Sequence, residues 1–210
     1  YRDGCREGVL IDKKKKAAKE ENGQTILKRP KSIPADIVRF KNGNENWIAF
    51  VGLQDGRPYE IFTGKIEEDA MYIPPKINKG FIIKVREEDG TKRYDFQYTD
   101  RYGYTNTIFS RPYTEHISRL FNEEFWNYAK LISGVLRHGM PITNVVSLIE
   151  SLHLNSETIN TWKLGVERAL KQYISDGTKT KDKCPSCGQE TMAYQNGCLT
   201  CMSCGYSKCG

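Results

Sequence analysis

Six of the chain's seven cysteines crowd into its last twenty-seven residues, CPSCGQETMAYQNGCLTCMSCGYSKCG. Cys184-Pro-Ser-Cys187 and Cys201-Met-Ser-Cys204 are C-x2-C hooks, each followed by a glycine, Gly188 and Gly205. A tetrahedral soft metal takes four thiolates converging from two rigid turns. C-x2-C supplies two per turn, and the trailing glycine takes the backbone conformation that turn demands. The thirteen residues between Cys187 and Cys201 leave room for a small hairpin joining the hooks, which is zinc-ribbon spacing. Cys184, Cys187, Cys201 and Cys204 are the expected zinc ligands.

Cys198 and Cys209 are then left over. A cysteine pair on a frayed terminus is mobile and exposed, as a thiol shuttle must be. Two assignments stay open. Either the hooks bind zinc and Cys198 and Cys209 form the redox couple, or the terminal C-x4-C makes Cys204 and Cys209 the couple and puts Cys198 on the metal. The trailing glycine on both hooks favours the first. Cys5 stands alone and reads as a passive thiol. His116, His138 and His153 are too scattered for a metal triad, and there is no phosphate loop, no Ser-His-Asp order and no convincing carboxylate pair.

These groups need a scaffold, and 210 residues with 38% hydrophobic and 11% aromatic content allow one ordinary domain plus a small appendage. The chain begins with Tyr1, so it reads as a piece of something longer. No apolar run approaches the ~18 residues of a membrane span, and no secretory signal is visible. Clustered C-x2-C pairs suit a reducing, cytoplasmic setting better than a disulfide scaffold. The net charge of +6 permits an acidic partner without requiring one.

Along the chain, residues 1–10 read as the end of a preceding unit. Residues 11–33, with Lys13 to Lys16 in a row, read as a basic linker, and 34–176 as one α+β domain. Trp47 to Leu53 is apolar on both faces and predicts a central strand. Tyr59 to Thr63 follows the Asp55-Gly56 turn. Phe81 to Arg86 predicts a strand with Ile83 and Val85 on one face. Arg93 to Tyr98 predicts another, with Tyr94, Phe96 and Tyr98 together on a half-buried face that Tyr102, Tyr104 and Tyr113 extend. From 114 the period becomes helical. Ile117, Leu120, Phe121, Tyr128, Leu131, Ile132 and Val135 form one core stripe, with Asn122 as a cap. Gly139 and Pro141 separate this from a second helix carrying Ile142, Val145, Val146, Ile149 and Leu152. Ser156 is expected to cap a third, with Ile159, Trp162, Val166, Leu170 and Tyr173. Residues 177–183 read as a polar hinge and 184–210 as the cysteine module. The expected fold class is therefore α+β, an antiparallel sheet packed with about three helices, followed by a C-terminal zinc ribbon.

Several stretches together resemble one family. GCLTCMSCGYSKCG preceded by CPSCG is similar to the cysteine-rich tail of adenosylcobalamin-dependent (class II) ribonucleotide reductases. KRPKSIPADIVRF and GRPYEIFTGK resemble the segment between that family's catalytic barrel and its tail. YAKLISGVLRHGMPITNVVSLIESL resembles its helix pair, INTWKLGVERALKQYI its last helix, and YRDGCREGVL the stretch closing its barrel. Residues 64–112 depart from the shorter family pattern and look like an insertion. The resemblance implies a parent enzyme that makes deoxyribonucleotides by radical chemistry started from adenosylcobalamin, which an absent catalytic barrel would bind. An active-site cysteine pair there becomes a disulfide, and this chain would re-reduce it. The implied partners are that barrel, in the same chain or a neighbouring subunit, and a thiol reductant protein. Neither a membrane nor nucleic acid is expected. The competing reading is a zinc-ribbon module that binds nucleic acid through the lysine run and the tyrosines, which has no use for six cysteines.

Overall fold

Strand-forming stretches in the first half pair into one antiparallel sheet, and the helical repeats of the second half cover one of its faces. The computed structural model describes residues 28–66, 73–90, 92–109, 122–154 and 161–209. Strands β1 (Ser32–Asn42), β2 (Glu45–Gln54), β3 (Arg57–Lys65), β4 (Lys79–Arg86), β5 (Lys92–Thr99) and β6 (Thr105–Phe109) lie in the order β3-β2-β1-β4-β5-β6. Helices α1 (Glu123–Arg137), α2 (Ile142–Glu150) and α3 (Trp162–Lys171) follow. A three-stranded sheet of β7 (Met192–Gln195), β8 (Cys198–Cys201) and β9 (Ser207–Lys208) completes the described chain. The expected α+β architecture is the one observed.

The large sheet coils because β1 divides its length between two neighbours. Residues 32–36 pair with β4 and residues 35–42 with β2. Phe62 on β3 consequently meets Phe96 on β5, with ring centroids 5.6 Å apart, although three strands separate them in sheet order. Phe50 stacks on the same ring at 4.1 Å. Strand alternation then builds two cores. Trp47, Ala49, Val51 and Ile61 face the helices, whereas Ile48, Phe50, Phe62, Ile82 and Phe96 fill the inside of the coil. As a central strand must be, β2 is buried on both faces.

A carboxylate sits inside this coil. Glu60 on β3 is fully buried. Arg29 donates to its Oε2 from Nε at 2.8 Å, and Arg137 of α1 donates to the same oxygen. Alone, a buried carboxylate is very costly; two guanidinium partners make it tolerable and make removal of either expensive. Arg29 also reaches Ile82 O on β4. The chain expected as linker up to residue 33 is thus anchored by Arg29, and β1 begins at Ser32. Pro34 lies in β1 one residue before pairing with β2 starts, where a missing N–H is least costly.

The helices are placed by specific polar contacts on an apolar floor. Asn122 caps α1, accepting from the amides of Glu124 and Phe125. Ser133 of α1 accepts from Ile61 N–H at 2.9 Å and lies 3.0 Å from Ile61 O, so the helix covers the outer edge of β3. Trp162 opens α3, with its indole N–H donating to Thr63 Oγ1 at 2.9 Å and its amide to Asn42 Oδ1. Gly165 then lies directly on Phe40, because a Cβ there would stand 1.9 Å from the ring.

Several expectations need correction. Thr161, not Ser156, caps α3, its hydroxyl accepting from Leu164 N–H. Leu131 is 70% exposed; Ile132 of the expected stripe is buried, and α1 adds Ala129, Ser133 and Leu136 to it. β4 carries Ile83 and Val85 on one face as expected, and Ile82 on the other face enters the core. Tyr102 and Tyr104 stand out on the β5–β6 turn, 69% and 72% exposed, rather than extending a half-buried face. Pro141 precedes α2 as its N-cap residue. The stretch 64–112 contains β4, β5 and β6 and supplies part of the core inside the coil. Residues 1–27, with Cys5 and the lysine run, lie outside the described residues, as do Tyr113, His116, Ile117, Leu120, Phe121, Ser156 and Ile159.

Two glycines on different helices should respond oppositely to the same change. Gly165→Ala must displace the Phe40 ring and should cost about 1–3 kcal/mol. Gly134→Ala in α1, where nothing lies within 4 Å of the new methyl, should gain about 0.5–1 kcal/mol. Denaturant unfolding of the two variants checks this pair of signs.

Candidate metal centre and thiol pair

The two hooks are brought face to face by a tight hairpin. Asn196-Gly197 joins β7 to β8, and both residues have positive φ, 50° and 75°, the type I′ pattern that matches strand twist. The resulting register sets Met192 opposite Cys201. Each hook closes alike: Gly188 N–H donates to Cys184 O at 2.8 Å and Gly205 N–H to Cys201 O at 3.0 Å. Both glycines are left-handed, at φ 73° and 76°, which a side chain would oppose.

The sulfurs of Cys184, Cys187, Cys201 and Cys204 all lie within 4.8 Å of one another. Cys184 Sγ is 3.6 Å from Cys204 Sγ, and Cys187 Sγ is 3.6 Å from Cys201 Sγ. Four sulfurs on a tetrahedral zinc, each about 2.3 Å from the ion, stand about 3.8 Å from their neighbours. The cluster therefore has the donor set and dimensions of a closed zinc site with no position left for substrate. Cys184 and Cys201 are buried against Met192, Leu199 and Tyr206, while Cys187 and Cys204 are exposed.

Crowding also drives two of the thiols apart. The Thr191 hydroxyl, 3.3 Å from Cys201 Sγ, and the amides of Cys204 and Ser203 hold the Cys201 thiol down to about 6. At Cys187 the amide of Gln189 pulls downward but is outweighed by desolvation and the three other sulfurs, which push that thiol up to about 12. Neighbouring sulfurs resist sharing negative charge, and a dication removes that conflict.

Cys198 and Cys209 are joined by a disulfide. The register that sets Leu199 opposite Lys208 places these two cysteines opposite each other on β8 and just beyond β9, where directly opposed side chains are close. Cys209 is exposed and Cys198 half-buried. Cys198 and Cys201 are three residues apart on one strand, so they leave β8 from opposite faces. The disulfide and the four-sulfur cluster thereby share a strand without sharing a ligand. Cys204, the alternative partner of Cys209, sits in the cluster.

The ribbon is docked, not dangling. Tyr194 on β7 is 7% exposed and belongs to the helix-side core. Gly197 approaches the backbone of Gln172 at the end of α3, and Asn196 N–H donates to Asp176. Beneath lies a buried ion pair, Lys171 with Glu167, which Glu150 joins at 3.1 Å. Residues 177–183 were expected as a hinge. Their first half pairs with β7: Gly177 N–H donates to Tyr194 O, Tyr194 N–H to Thr178 O, and Thr180 N–H to Met192 O. Lys181, Asp182 and Lys183 are exposed.

Sequence reasoning missed Thr191, Tyr194 and Lys171. Asn196-Gly197 was a readable hairpin signal, and Tyr194 flanking it a readable strand residue. His138 ends α1 as its C-cap residue, away from the sulfurs. Metal analysis of the purified chain should find one zinc per molecule. The Cys184→Ser/Cys187→Ser double variant should lose it and Cys198→Ser should keep it; stoichiometric zinc in the double variant contradicts the four-sulfur site.

No curated protein and no solved structure matches the chain. The family model described as NrdJ homologue C-terminal domain matches residues 33–175, the coiled sheet and the three helices. The chain belongs to that family, and is an NrdJ-related ribonucleotide reductase C-terminal part.

Proposed function

We propose that this chain is the electron-delivery end of an adenosylcobalamin-dependent ribonucleotide reductase and does not itself reduce nucleotides. The observation that carries the proposal is the Cys198–Cys209 disulfide beside, but separate from, a four-cysteine cluster of zinc dimensions. Zinc on Cys184, Cys187, Cys201 and Cys204 holds the ribbon in shape. Cys198 and Cys209 carry the electrons.

The exchange balances as follows. In the dithiol state one thiolate of the pair attacks the oxidised active-site disulfide of the parent enzyme. That bond breaks, one active-site thiolate leaves and a mixed disulfide forms; the pair's second thiolate then attacks the first ribbon sulfur and releases the other active-site thiolate. The active site is left with two thiols and the ribbon with the Cys198–Cys209 disulfide. A protein thiol reductant supplies the two electrons and two protons that restore the ribbon. Exposure of Cys209 suits both encounters. The catalytic barrel is the first partner, in the same chain or a neighbouring subunit, and the thiol reductant the second. Adenosylcobalamin would be held by the barrel, and the cysteine cluster of this chain would hold zinc. No helix among the described residues is long and apolar enough to cross a membrane, and a reducing cytosol is the compartment this chemistry requires.

Cys209→Ser in the full-length parent separates relay from structure. It should retain zinc and one round of reduction, yet stop multiple turnover with a protein reductant. A small dithiol that diffuses into the active site should restore turnover. Normal multiple turnover of Cys209→Ser with the protein reductant overturns the relay.

A further inference from the structure

A second feature of the molecule is independent of the cysteines. A groove of about 1580 Å³ runs between the β2–β3 turn, the outer face of α1 and the α1–α2 turn. Small-molecule pockets hold roughly 300–1,000 Å³ and enclose most of their ligand. This groove is larger, and side chains such as Arg57, Lys130 and Leu131 line it while remaining exposed. Its size and openness fit a segment of polypeptide.

Its chemistry narrows the occupant. Leu131 stands 70% exposed here, on a helix whose opposite side already supplies the core. Three residues on, Gly134 leaves open space where a side chain would stand, so another backbone can come close. Tyr59 and Met140 continue the apolar lining, and Arg57 and Lys130 flank it. Asp55 is the single acidic residue among those lining the groove. Two lining side chains also carry a buried atom without a hydrogen-bond partner among the described residues, Gln54 Oε1 and Arg137 Nε. Orphans of this kind cost about 1–3 kcal/mol each.

The mode of binding follows from what is already occupied. Ser133 bonds the edge of β3 at Ile61, so an added strand finds no free edge there. The surface that remains is a helix face, with Leu131, Gly134 and His138 at i, i+3 and i+7, and helices pack on such faces. We infer that this groove docks an acidic amphipathic helix of a partner protein, its apolar side chains over Leu131 and Gly134 and its carboxylates beside Arg57 and Lys130. Apolar anchors in the groove supply affinity, and charge complementarity selects the partner. The inference does not rest on the thiol relay.

Fluorescence anisotropy with the intact 210-residue chain tests it. The probes are labelled Glu/Leu amphipathic helical peptides of roughly five turns, the same peptides with Lys for every Glu, and polyglutamate of equal charge. The Glu/Leu peptide should bind at least about tenfold tighter than either control, a difference of 1.4 kcal/mol. Leu131→Asp should abolish binding. Arg57→Glu/Lys130→Glu should reverse the preference toward the Lys peptide, and Phe81→Asp, on an exposed apolar residue of β4 outside the groove, should change nothing. These four residues are exposed, so the variants keep the fold, and circular dichroism verifies that. Equal binding of polyglutamate, insensitivity to Leu131→Asp, or absence of binding by the Glu/Leu peptide each overturns the docking site.

Discussion

Four cysteine sulfurs within 4.8 Å of one another cannot all be anionic unless a cation lies among them. That electrostatic demand shapes the last twenty-seven residues of the molecule. It requires two rigid turns, hence the left-handed glycines at 188 and 205, and a hairpin short enough to face the turns toward each other, hence Asn196-Gly197. Once the hairpin exists, β9 adds to β8 in a register that sets Cys198 opposite Cys209, and β7 sends Tyr194 into the core of the neighbouring domain. Four-sulfur cluster, disulfide and docking contact therefore descend from one constraint. Disulfide or docking contact can fail alone, but loss of the cluster removes the frame of both.

A second constraint of the same kind organises the rest. Glu60 is fully buried and is acceptable there only because Arg29 and Arg137 reach it. The three residues come from the segment entering the domain, from the edge strand and from the helix that covers that edge. One charge balance thus fastens chain entry, sheet and α1 together. The two constraints are linked through α3, which packs on Phe40 and Trp47 of the sheet and ends where the ribbon docks. Motion of the ribbon relative to the domain would have to extract Tyr194 and break the pairing of residues 177–180 with β7. The geometry at hand is of a ribbon carried by its domain.

Much of this was legible in the residues. Cysteine spacing pointed at the four-sulfur cluster because C-x2-C-G is a local rule, and the apolar run at 47–53 marked β2 because burial on both faces leaves no polar positions. What failed was non-local. Leu131 matches the helical stripe of α1 as well as Ile132 does; only the curvature of the sheet decides which side is covered. Ile83 and Val85 alternate correctly with their neighbours, but the coiling of the sheet, set by the division of β1 between β2 and β4, selects Ile82. Nothing around Glu60 in sequence announces that partners 31 and 77 residues away will reach it. The ends of α3 were blurred because Ser156 and Thr161 are both good caps, and tertiary contacts of Trp162 choose between them.

The account stands on a division between sulfurs that hold a metal and sulfurs that exchange electrons. X-ray absorption at the zinc edge, recorded on the chain with the Cys198–Cys209 bond intact and again after its reduction, addresses that division directly. The prediction is four sulfur neighbours at about 2.3 Å in both states, with an unchanged spectrum. A nitrogen or oxygen neighbour, or a sulfur neighbour gained or lost when the disulfide opens, would contradict it, because the exchanging cysteines would then be ligands as well.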